Sequence, residues 1–61
     1  MSKTEEYLYA AYEQGKRDVL LKKAREIRQA PQNKYIEQGD LYEKAFMELV
    51  KEGVLSEITY D

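Results

Sequence analysis

The chain has 61 residues and a formal net charge of -2, enough for one hydrophobic core but not two, and too little charge to favour nucleic acid or a membrane surface by itself. It contains no cysteine and no histidine, which removes disulfides, thiolate nucleophiles, the commonest general base and a structural zinc site. The expectation is therefore one small domain over residues 1–61, non-enzymatic, with no cofactor or metal and no staple other than packing or a partner.

The polar start Met1-Ser2-Lys3-Thr4-Glu5-Glu6 lacks the basic and apolar regions of a signal peptide, and with the absent cysteines it points to a cytoplasmic chain. Ser2 followed by Glu5 is a capping box, so a first helix should start by residue 5 and run to about Gln14. Tyr7, Leu8, Ala11 and Tyr12 form its apolar stripe, with Tyr9 pointing away from it. Val19, Leu20, Ala24 and Ile27 lie roughly 140° around the axis from that stripe at 100° per residue. The spacing predicts two helices with a break near Gly15 and Asp18 as a cap; the alternative is one helix curling between two partners.

The second helix, about Lys16 to Gln29, should stop at Ala30-Pro31-Gln32-Asn33, because proline disfavours helical geometry in the residue before it and lacks a donor. Lys34 to Glu37 is short and β-compatible. A third helix is marked at both ends, with Asp40 as the expected N-cap after Gly39 and Gly53 as the left-handed terminator. Leu41, Tyr42, Ala45, Phe46, Leu49 and Val50 recur at helical spacing and make the strongest apolar stripe in the chain. Val54 to Tyr60 is rich in β-branched and aromatic types and is expected to be extended, pairing with residues 34–37 if it packs on the helices. The predicted fold is mainly α, three helices with a short C-terminal β segment.

Residues 35–55, from Tyr35-Ile36-Glu37 through Ala45, Leu49 and Glu52-Gly53-Val54-Leu55, resemble the third helix and first wing strand of winged helix-turn-helix domains. The resemblance implies a truncated winged-helix-like fold, with Ala45 and Leu49 facing the core and one wing strand before Asp61. It also implies a DNA-reading third helix, but that helix exposes Glu43, Lys44, Glu48, Lys51 and Glu52, a net negative face unsuited to phosphate.

Charge is segregated along the chain: residues 16–34 carry +5 and residues 35–61 carry -5. A basic segment lying beside an acidic one is the simplest account. The other is nucleic acid on the second helix through Lys22, Lys23, Arg25 and Arg28. Six of the seven aromatic residues are tyrosine, a side chain with large area and a polar tip that is favoured where surfaces meet. Tyr9, Tyr60 and Met47 have no inward role, which marks them as candidate protein-binding residues. The functional expectation is a small regulatory or inhibitory module that binds a protein partner or a second copy of itself, without membrane contact. The second expectation is a DNA-binding regulator using the basic helix.

Overall fold

Ser2 opens the first helix, α1 (Lys3–Glu13), by accepting the Glu5 amide on its side-chain oxygen at 3.2 Å, which satisfies one of the donors a helix start leaves unpaired. The computed structural model describes residues 2–58. At the far end of α1 the chain turns through Gly15 at φ +70°, where the Gly15 amide donates to the Tyr12 carbonyl at 2.9 Å and the Lys16 amide to the Ala11 carbonyl at 2.8 Å. These two bonds are a Schellman ending, and a left-handed residue there favours glycine. The second helix, α2 (Arg17–Arg28), follows at once, so residues 3–28 form two helices and not one. Asp18 does not cap α2: Lys16 holds that position without a side-chain bond, and Asp18 lies in the first turn.

Past Gln29 the chain makes a single 3-10 turn, Pro31–Asn33. Asn33 is almost fully buried, and its Nδ2 donates to the Ile27 carbonyl at 3.0 Å, a second bond to an acceptor that also takes the Ala30 amide at 3.2 Å, so the buried amide group finds its partner at the end of α2. The third helix, α3 (Gln38–Lys51), has its N-cap three residues earlier than its sequence suggests. Glu37 is the N-cap and Asp40 lies within the first turn, where its carboxylate accepts from Lys3 Nζ at 3.0 Å. Gly39 is helical and lies under the Lys3 side chain.

α3 ends as its two-residue terminator requires: Gly53 has φ +82°, its amide donates to Val50, and the Val54 amide reaches the Leu49 carbonyl at 2.9 Å. The expected β segment is absent, and among the described residues there is no strand. The reason is where the backbone donors go. The Val54 and Leu55 amides are both taken by Leu49, and the Ser56 amide is taken by the Gln14 side chain at 2.7 Å. Residues 34–37 are equally committed, with Lys34 and Ile36 donating back into the 3-10 turn. A ladder would have to break these bonds first. Tyr60 lies outside the described residues.

α3 packs against both other helices, which touch each other over a smaller area. The core is Ala11, Leu20, Ala24, Ile27, Leu41, Ala45, Phe46, Leu49 and Leu55. Ala11 and Ala45, each 0% exposed, are the small residues that let the helix axes approach. Two stripe residues depart from expectation, Tyr12 being 66% and Val19 37% exposed. Leu55, on the face opposite Val54 and Ile58 had the segment been a strand, fills the core because the Schellman turn swings it back under α3.

Candidate functional site: an apolar groove on α3 and a basic face on α2

Met47 widens the apolar stripe of α3 on one side. With Phe46 and Val50 of that stripe it meets Tyr7 from α1 and Ile58 from the segment after Gly53 around an open groove of about 590 Å³. Met47 is 60% exposed at its edge. Tyr7 is fixed from two sides: its ring is tilted 45° against Phe46 with centroids 5.2 Å apart, and its hydroxyl donates to Glu43 Oε2 at 3.2 Å. Partial burial, then the bond to Glu43, raises the Tyr7 phenol above its ordinary pKa, since both disfavour phenolate. Lys3 reaches the same carboxylate at 3.3 Å as well as Asp40, and its ammonium pKa is raised by those partners.

The groove's remaining wall is held by an amide clasp. Gln14 Nε2 donates to the Ser56 carbonyl at 3.1 Å while its Oε1 accepts the Ser56 amide, so one side chain supplies both bonds a neighbouring strand would have made. Glu43, Glu48 and Glu57 with Lys44 and Lys51 form the rim.

Of the residues singled out in the sequence for protein binding, Met47 reaches this groove. Tyr9 is exposed on the outer face of α1 and does not line it. Tyr7, Phe46 and Val50 read as core in the sequence because their inner sides do pack on it; the groove uses their other edges. The signal that could have found them is Met47, placed one residue from Phe46 and three from Val50 at the edge of the main stripe. Tyr12 and Tyr35 are further exposed rings, Tyr35 being 88% exposed with the Lys34 ammonium 5.6 Å from its centroid.

The four basic candidates separate. Lys23 turns to the acidic segment and pairs with Glu52 at 2.7 Å, which raises its pKa. Lys22, Arg25 and Arg28 stay exposed and enter no ion pair among the described residues. Arg28 Nη2 donates to the Ile36 carbonyl at 3.4 Å. Attraction between the two charged blocks thus accounts for one base of the four, in a partly exposed pair of modest weight. A second, smaller cleft of about 150 Å³ opens between Arg25 and Arg28 on α2 and Gln38 and Tyr42 on α3.

Among the described residues no cluster of acids could hold a metal ion, and no helix is long and apolar enough to cross a membrane. What the fold and the site define is a three-helix domain with an apolar groove on one side and unneutralised arginines on another. No family model, curated protein or solved structure matches the chain.

Proposed function

We propose that this chain is a small non-enzymatic interaction module, regulatory or inhibitory in role, that docks on a protein partner or on a second copy of itself. The observation that carries the reading is the groove: Met47, Tyr7, Val50 and Ile58 offer aromatic, thioether and aliphatic surface over the buried Phe46 ring inside a charged rim, the arrangement in which a few apolar anchors supply most of an interface's energy. Sedimentation and light scattering of the wild-type chain against Met47→Asp are the test. Met47 is exposed, so the variant should keep its circular dichroism and melting behaviour while association, with itself or with a captured and identified partner, weakens by roughly tenfold or more. Unchanged association would remove the groove from the reading.

A second reading has its own observation, the exposed Lys22, Arg25 and Arg28 on α2: a small DNA-binding regulator that lays this helix along the phosphate backbone. The resemblance of residues 35–55 to a winged helix-turn-helix belongs to this reading and rests on α3, since no strand follows it among the described residues. Duplex binding that falls steeply between about 50 and 200 mM salt, and is lost when the three bases become Gln, would establish it over the first.

A further inference from the structure

Between α2 and the beginning of α3 the surface changes character from the groove on the other side of α3. The cleft there is lined by Arg25 and Arg28, one turn apart, over an apolar floor of Leu21, Ala24 and Leu41, and Gln38 and Tyr42 close it; none of its lining residues is acidic. The groove, by contrast, carries three glutamates and two lysines. Arg28 is steered over the chain leading into α3 by its bond to the Ile36 carbonyl. The Arg25 guanidinium has no hydrogen bond or ion pair among the described residues. Two guanidinium forks beside apolar surface match a planar anion, because the fork gives paired N–H donors and the apolar floor limits competition from water.

We propose that this cleft binds a carboxylate side chain from an acidic peptide segment of a protein partner, with Arg25 and Arg28 as its donors and an adjoining apolar side chain resting on Leu21, Leu41 and Tyr42. The inference rests on the interaction-module reading and names the chemistry of its partner. A cleft of about 150 Å³ admits one such group. A nucleic acid repeats its charge every few ångströms, and its neighbouring phosphates would meet Asp18 and Glu26 as well as Lys22 along α2, and Glu37 beside Gln38, all exposed. A peptide can place one anion and leave those acids facing solvent.

The test is an amide chemical-shift titration of the full chain with two capped hexapeptides, alternating Glu and Leu in one and Gln and Leu in the other, and with a short DNA duplex. The Glu peptide should shift Arg25, Arg28, Gln38 and Tyr42 and bind roughly tenfold or more tightly than the Gln peptide. Arg25→Gln and Arg28→Gln, exposed positions whose variants should keep the wild-type circular dichroism, should each weaken it, and Arg25→Lys should restore only part. Equal binding of the two peptides, shifts centred elsewhere, or tighter binding of the duplex at the same residues would overturn the proposal. If the Glu peptide fails while association sensitive to Met47→Asp persists, the cleft is refuted and the interaction module stands. If association is absent as well, both fall.

Discussion

Phe46 shows how much one side chain carries in so small a domain. It is 2% exposed in the core and its ring meets the tilted Tyr7 ring, so Phe46→Ala removes packing on both sides. The expected cost is ~3–5 kcal/mol, a large part of the stability available to a domain of this size; urea melts of the variant should show either a midpoint displaced far toward zero or no folded baseline. A midpoint near wild type would mean the Tyr7–Phe46 pair is not part of the core. Tyr7 makes a second prediction through its raised pKa. The folded state holds the proton more tightly than the unfolded chain, so this stabilisation is complete below about pH 10 and is lost as pH rises through the folded value. Lys3 and Lys23 are shifted in the same direction by their acidic partners. Melting temperature should therefore fall at alkaline pH, and Tyr7→Phe should remove the phenol's share of the fall. An identical alkaline profile in that variant would show that neither burial nor Glu43 holds the proton on the Tyr7 phenol.

At the scale of elements, the Schellman ending at Gly15 and the turn at Pro31–Asn33 divide the chain into three helices, and a second Schellman ending at Gly53 closes the last. Gly15 and Gly53 have left-handed φ, and a side chain at either would meet nothing within 4 Å, so the whole cost of substitution is conformational. Gly15→Ala should destabilise by ~1–2 kcal/mol. The sign is diagnostic: in a continuous helix the same change would stabilise by ~1 kcal/mol, and thermal melts distinguish the two. The break at Gly15 was legible from the mismatch of stripes on either side of it. The start of α3 was not, because Asp40 is as suitable a cap as any residue when viewed locally. Its carboxylate instead turned to Lys3, a partner 37 residues away. The C-terminal segment misled for a related reason. Val54, Ile58 and their neighbours have strand composition, but Gln14, on another helix, supplies the bonds that a strand would have sought from a partner.

For the whole molecule, the small core and the groove lead to a prediction about assembly. A chain of this length buries little surface, and binding that occurs only in the folded state raises stability with concentration. The melting temperature should rise over a dilution series from about 1 to about 100 μM if the second copy is the partner, in step with the mass found by light scattering. A melting point independent of concentration, in a chain that remains monomeric, would leave a different protein as the only occupant for the interaction reading. The charge pattern also becomes a property of the whole. The sequence's basic and acidic blocks do meet, at Lys23 and Glu52, but most of the basic face points outward because α2 turns Leu20, Ala24 and Ile27 to the core and its arginines away from it.

The sequence alone determined what depends on neighbours along the chain: the cap at Ser2, the favoured break at Gly15, the left-handed turn at Gly53, the stop at Pro31, and the stripe that buries Leu41, Ala45, Phe46 and Leu49. These follow from periodicity and backbone sterics, which act over a few residues. Only the tertiary structure decided matters that need two distant segments side by side. It gave Asp40 to Lys3 and Ser56 to Gln14, and sent Leu55 inward and Tyr12 outward. It also opened the groove between α1, α3 and Ile58, and set Arg25 and Arg28 against the beginning of α3. A side chain's partner in these cases is chosen by which element lands next to it, and a hydrogen-bonding group satisfied from another helix has no need of the local structure its sequence would otherwise favour.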